Sequence, residues 1–224
     1  MGKSGSCDRS DLCAEFSGTA NTEFTRTYSA LTRRSLAGSD DSIAVVDLSP
    51  LTTGHVLVCP RLHYFNAAQA IADPACGFGV FLEGFLRKYV EVFGEFTILE
   101  HGSTRVMPTA CISHAHLHVL PMALEPIIRR MYRDGLSLNM LDGWGEVSDL
   151  VLDESPYYLA ADSSRFFVAQ PLQRMAGQYL RVVAGECISI PAEECDWAVV
   201  IRREIFHRTV QLWAAHPANE GVML

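Results

Sequence analysis

Three histidines, His114, His116 and His118, alternate with Ala115 and Leu117 in the segment SHAHLHVLP, residues 113–121. On a β-strand the two-residue period sends all three imidazoles to one face and Ala115, Leu117 and Val119 to the other. The apolar set would anchor the strand and the rings would line a surface. With only eight histidines in the chain, three in alternation point to chemistry more than to a packed structural array. Neutral imidazoles are good zinc ligands, although alternate positions on a flat strand seldom converge on one tetrahedral ion and a fourth ligand must come from elsewhere. In covalent catalysis, one ring attacks phosphorus while a neighbour donates a hydrogen bond to the developing charge. Spacing alone leaves both open.

The elements that must position these rings are legible on either side. IAVVDL (43–48) and HVLVCP (55–60) read as strands joined by the turn SPLTTG, the second ended by Pro60. Between Gly77 and Glu95, residues Phe78, Phe81, Leu82, Phe85, Tyr89, Val92 and Phe93 recur at spacings of three and four, which predicts a helix with a broad apolar face. FTILEHG (96–102) and ACISHAHLHVLP (110–121) return to strands. Two hairpins around one helix make an α+β unit with an antiparallel sheet.

Beyond Pro121, residues 124–133 read as helical and DGWGE (142–146) as a turn or mobile loop, while PYYLA and RFFVA pair as a further hairpin. Leu172, Met175, Tyr179, Val182 and Val183 suit one helix face, and Ile201, Ile205, Thr209 and Leu212 another. The expected organisation is a core over residues 1–121, opening with a loosely folded arm of about forty residues, and an ordered extension over 122–224 that serves as a cap, an acceptor pocket or a dimer arm.

Composition narrows the functional classes. A chain of 224 residues, 49% hydrophobic and 20% charged, is globular and long enough for a well-buried core. A formal charge of −8 argues against nonspecific nucleic-acid binding and leaves room for a small phosphorylated ligand held by local donors. Seven cysteines, an odd number without a regular framework, suit a reducing compartment. Neither a signal-peptide core nor a membrane span is read in the sequence, so the expectation is a cytoplasmic protein.

HAHLHVL, residues 114–120, matches the His-x-His-x-His-x-x signature of the histidine triad superfamily of nucleotide hydrolases and transferases, which this chain resembles; Pro121 is common after that signature. VVDLSPLTTGHVLVCPRLHY (45–64) is similar to the family's nucleoside-binding hairpin and the histidine after it, and EHG (100–102) to a dinucleoside polyphosphate hydrolase or phosphorylase-like subgroup. The likeness covers roughly residues 13–121 and is weaker beyond.

The resemblance implies an α+β, HIT-like fold and a set of roles. His116 would be the nucleophile on an α-phosphorus, His118 the group that holds and polarises the phosphate oxygens, and His114 a supporting residue or zinc ligand. Asp47 would anchor the ribose hydroxyls, with Val46 and Leu48 beside the base; its alternative is a turn cap before Ser49 and Pro50. Ser103 and Cys111 stand where relatives carry phosphate-contacting residues, but Ser103 offers a shorter donor and Cys111 a weaker one. His101 is expected either to reach the phosphates or act as the proton donor, or to be a packed strand-end residue satisfied by Glu100 or a carbonyl. No cofactor is required for the covalent chemistry. A structural zinc would use Cys13, His63 and His114, with Cys7 as a displaced partner because Ser10 stands at the Cys-x-x-Cys position.

The implied enzyme is a hydrolase or phosphorylase acting on a nucleoside phosphate derivative, a dinucleoside polyphosphate first, as a homodimer. The alternatives are a specialised nucleotidyltransferase and a non-catalytic nucleotide-binding regulator. The extension's Gln178-Tyr-Leu-Arg181 and its Tyr157–Tyr158 pair are candidates for an acceptor pocket.

Overall fold

A computed structural model describes residues 10–18, 21–29, 32–105, 112–150, 155–170 and 178–217. Cys7 and Cys111 lie outside these ranges, as do Leu172 and Met175. The helices are α1 (Asp11–Phe16), α2 (Glu23–Thr27), α3 (Ala67–Ala72), α4 (Phe78–Phe93), α5 (Leu124–Arg133), α6 (Trp144–Asp149), α7 (Tyr179–Cys187) and α8 (Arg203–Ala215). The strands are β1 (Ser35–Gly38), β2 (Ser42–Val46), β3 (Val56–Pro60), β4 (Thr97–Gly102), β5 (Leu117–Leu120), β6 (Asn139–Leu141), β7 (Tyr157–Ala161) and β8 (Phe166–Ala169). They form one eight-stranded sheet in the order β1-β2-β3-β5-β4-β7-β8-β6, and every pairing is antiparallel. The α+β class and the antiparallel sheet are as expected.

Strand alternation divides the core. Val46, Val58, Ile98, Leu117, Val119 and Leu159 face Phe78, Leu82, Phe85 and Tyr89 of α4 together with Phe206 and Trp213 of α8. On the opposite face there are two separate patches. Leu12 of α1 covers Ile43, Val45 and Leu57 at one end, and α5 and α7 cover Leu99, Leu120, Tyr158 and Ala160 at the other. The gap between these patches is where the polar residues gather.

Residues 122 onward extend this sheet through β6, β7 and β8 and fasten the turn between β2 and β3. Ser49 Oγ donates to the Val200 carbonyl at 2.5 Å, and Gly54 N–H donates to Thr209 Oγ1 of α8 at 3.0 Å. Gly54 has φ +94 and packs against Phe93 and Pro121, a left-handed conformation that favours glycine.

Several local expectations change. The first forty residues supply α1, α2 and the edge strand β1, because Leu12, Phe24 and Leu36 are buried. DGWGE opens α6, where Val147 is buried and Trp144 meets Phe166 edge-on at 5.1 Å. The buried positions of α8 are Phe206, Thr209 and Trp213, with Leu212 exposed. Most consequentially, the last strand of the motif begins at Leu117. His114 and His116 precede it, in irregular backbone, and do not share a strand face with His118.

Candidate active site

Register puts His118 between Leu57 of β3 and Leu99 of β4, on the sheet face that carries the gap. His116 sits beside it, with ring centroids 5.0 Å apart. Both line a cleft of ≈ 530 Å³ together with Asp47, Leu57, His101, Ile112, Trp197 and the start of α7. A second lobe of ≈ 800 Å³ adjoins it through Asp47, Leu57, Ile112 and Trp197 and runs between Leu12, Phe24, Arg34 and Leu48.

Hydrogen bonds fix which nitrogen each ring offers. His116 Nδ1–H donates to the His114 carbonyl at 2.7 Å, which leaves Nε2 with its lone pair. Leu51 N–H donates to His55 Nδ1 at 3.1 Å, so His55 carries its proton on Nε2 and donates it to His118 Nδ1 at 2.9 Å. His118 therefore holds its own proton on Nε2, as a donor. One ring offers a lone pair and its neighbour an N–H, the combination that attack on a phosphoryl group requires. Burial pushes the pKa of His116 below the ordinary imidazole value against the opposing pull of its bond to His114, and holds His118 well below it. Both rings are neutral at pH 7.

His55 was missed in the sequence. Its signal is the strand period, since His55 precedes β3 in phase with Leu57 and Cys59, both on the cleft side of the sheet.

Asp47 lies at the junction of the two lobes. Its Oδ1 accepts from Ser49 N–H at 2.8 Å, the turn-capping bond, and its Oδ2 accepts from Arg181 Nη1 at 2.8 Å. Burial alone would raise its pKa, but Arg181 and the nearby imidazoles outweigh it and hold the carboxyl well below the usual range. Asp47, His55 and His118 could in principle converge on a metal ion. The facing histidine nitrogens are instead spent on each other, and Arg181 already supplies the positive charge.

The other expected residues separate. His101 lines the cleft against the Tyr158 ring, 4.6 Å between centroids, and burial followed by the nearby His116 lowers its pKa to about 4. Glu100 points to the opposite face, where it accepts from Ala67 N–H and Tyr157 O–H at 2.6 Å each; burial raises its pKa to about 7. A side chain at Gly102 would meet that Tyr157 ring at 2.6 Å, which explains the glycine of EHG. Leu48 lines the second lobe, but Val46 is in the core on the α4 side, so Leu57 and Ile112 furnish the apolar wall in its place. Ser103 is fully buried, with its N–H donating to Phe65 O and its carbonyl accepting from Asn66, and it is not among the cleft-lining residues. Gln178, Tyr179, Leu180 and Arg181 all reach the cleft.

His114 faces elsewhere. Its Nε2–H donates to the Pro60 carbonyl at 2.7 Å, leaving Nδ1 3.1 Å from Cys13 Sγ, and His63 Nδ1 lies 3.2 Å from the same sulfur. A thiolate and two neutral imidazoles are a donor set that zinc prefers, and the bond to Pro60 selects the tautomer a metal needs. These three residues fit the ion.

No family model matches the chain, and no curated protein matches it. Among solved structures it is similar to a Hit-like protein from Bartonella henselae at 16% identity, covering 52% of this chain and 79% of that one with a TM-score of 0.39. A Zn-bound histidine triad family protein from Mycobacterium smegmatis matches at 22% identity over 53% of this chain and 78% of that one, TM-score 0.37. Yeast Ap4A phosphorylase Apa2, in complex with AMP, matches at 10% identity over 78% of this chain and 70% of that one, TM-score 0.40. Two of these three are described as Hit-like or histidine triad proteins, the family whose signature the HAHLHVL segment resembles.

Proposed function

We propose that this chain is a histidine triad enzyme that cleaves the α-phosphoryl bond of a nucleoside 5′-phosphoryl derivative through a nucleotidyl-histidine intermediate. The observation that carries this reading is the pair of opposed tautomers, a lone pair on His116 Nε2 beside an N–H on His118 Nε2. His116 Nε2 attacks phosphorus, the P–N bond forms and the bond to the leaving group breaks. His118 holds a non-bridging oxygen as charge develops, and a polyphosphate leaving group departs as its anion without a proton from His101, which burial keeps neutral. An acceptor then attacks phosphorus and returns His116 to its neutral form.

A dinucleoside polyphosphate is the substrate we favour, with water or phosphate as acceptor. The two adjoining lobes and the start of α7 at the cleft support that choice. We further propose a structural zinc on Cys13, His63 and His114, a homodimer and a cytoplasmic location. Among the described residues no helix is long and apolar enough to cross a membrane. The broad apolar face of α4 packs inside the molecule on α8, while Val80 and Val90 of the same helix are exposed.

The test is intact mass after a rapid quench in base, since a phosphorus–nitrogen bond to histidine is labile in acid. Dinucleoside tetraphosphates, nucleoside phosphoramidates and nucleotide sugars are presented to wild type and to His116→Ala. A nucleotidyl adduct on wild type alone, with a released leaving group, is the expected result. Ligand retention with neither adduct nor turnover would favour a binding role.

A further inference from the structure

Gln178 stands immediately before α7, in the cleft that holds His116 and His118. Three observations set it apart. Its backbone is left-handed, with φ 59, a conformation that costs free energy in a residue other than glycine and is kept where the surroundings impose it. Its side-chain amide has a fixed direction, because Nε2–H donates to Asp196 Oδ1 at 2.5 Å and a carboxylate oxygen only accepts. The same Oδ1 accepts from Ala198 N–H at 2.8 Å, which ties Asp196 to its own loop. Gln178 Oε1 is then left buried, with no hydrogen-bond partner among the described residues. A buried acceptor is seldom left unpaired, and one that lines a cleft points to a ligand.

An amide oxygen accepts and does not donate. It gains nothing from the oxygens of an ionised phosphate, which are acceptors too, and takes an O–H or N–H instead. The lobe narrows the choice of donor. Gln178 lines the lobe of His101, His116 and His118, and not the apolar lobe of Leu12, Phe24 and Leu48. With the nucleoside in the apolar lobe, phosphorus shares the first lobe with the group that leaves and the group that replaces it. A departing polyphosphate offers no proton at neutral pH. The incoming nucleophile, water or hydrogen phosphate, carries an O–H.

We propose that Gln178 positions the incoming nucleophile of the second half-reaction, its Oε1 accepting the O–H of the water or hydrogen phosphate that attacks the nucleotidyl-histidine. A new P–O bond forms as the P–Nε2 bond breaks, and the electron pair returns to His116 Nε2. The proton of the incoming group passes to the product phosphate or to solvent, because an amide oxygen is too weak a base to keep it. Gln178 thus serves breakdown of the intermediate and not its formation. This inference rests on the nucleotidyl-histidine reading.

The test uses the full chain and adenosine 5′-phosphorimidazolide, whose imidazole leaves readily. Adduct mass after a base quench is followed over time in wild type and Gln178→Gly, with and without inorganic phosphate; AMP or ADP as product names the incoming hydroxyl. Glycine suits a left-handed backbone better than glutamine, so the variant should melt no lower than wild type. Gln178→Gly should form the adduct within about threefold of the wild-type rate and break it down on the order of 100-fold more slowly, so that adduct accumulates. A merely structural role would slow both halves alike. Gln178→Asn, which also tolerates positive φ but draws the oxygen back by one methylene, should show the same split. Unchanged breakdown, or equal loss in both halves, would overturn the inference and leave the nucleotidyl-histidine reading standing. So would slower adduct formation with this probe that the 2′,3′-dideoxyadenosine analogue does not share, since a ribose hydroxyl would then be the donor. Neither turnover nor adduct in wild type or in either variant would overturn both.

Discussion

His114 and His116 are two residues apart, and each bonds a backbone carbonyl, yet they face different chemistry. His114 commits Nε2 to Pro60 and turns Nδ1 to Cys13 and His63; His116 commits Nδ1 to the His114 carbonyl and keeps Nε2 for the cleft. The choice of nitrogen given to the carbonyl separates a ligand-like histidine from a nucleophile-like one. The histidine beside each extends the contrast. His63 shares a soft sulfur with His114, whereas His55 passes a fixed N–H to His118 next to a buried carboxylate and guanidinium.

The sharpest way to break this comparison is to remove His116. His116→Ala should lower turnover by about four orders of magnitude and abolish the adduct, with the circular dichroism spectrum retained. Residual activity within tenfold of wild type would place the nucleophile elsewhere.

Next comes the other cluster. Purified protein should carry close to one zinc per chain by elemental analysis, and His63→Ala should lose it and melt on the order of 5–10 °C lower. Adduct formation below the new melting point should survive, because His116 does not touch the sulfur. Loss of the adduct at the same temperature would join the two clusters into one functional unit.

His55→Phe sharpens the tautomer argument. Without the Nε2–H donor, His118 is free to place its proton on Nδ1, and kcat should fall about 30-fold with smaller change in nucleotide affinity. An unchanged kcat would show that His118 needs no such lock.

The smallest effect is on stability in acid. Burial lowers the pKa of His55 from 6.5 to about 4, against the opposing attraction of Asp47. The unfolded chain therefore binds this proton first, and stability is fully present above pH 6.5 and lost as pH falls toward 4. At pH 5 the loss from His55 is on the order of 2 kcal/mol, read as the difference between wild type and His55→Phe in how far the urea midpoint moves from pH 7 to pH 5. Glu100 works the other way: its folded pKa of about 7 lies above 4.5, so its contribution declines as pH rises through that window. In wild type the two contributions nearly cancel between pH 7 and 5, so an identical pH response of the urea midpoint in wild type and His55→Phe is the result that would contradict the buried, neutral state of His55.

Much of the frame is local in origin. The strands near 43–48 and 55–60, the helix of spacing three and four, and the PYYLA–RFFVA hairpin follow from periodicity, which depends only on neighbours along the chain. Alternation also foretold that Ala115, Leu117 and Val119 face the core. It failed where backbone stops being regular. His114 leaves the face expected for it because strand pairing starts only at Leu117, and DGWGE becomes helical because Val147 is wanted in the core.

The sequence by itself determined the residue types and the hairpin frame, since the histidine alternation and the apolar periods are short-range properties. Only the tertiary structure decided which nitrogen each ring offers, since that depends on carbonyls and donors from distant segments: Pro60 for His114, and Leu51 through His55 for His118. It likewise decided the partner of Asp47. A buried carboxylate takes whatever cation the fold brings to it, and here α7 brings Arg181 across 134 residues.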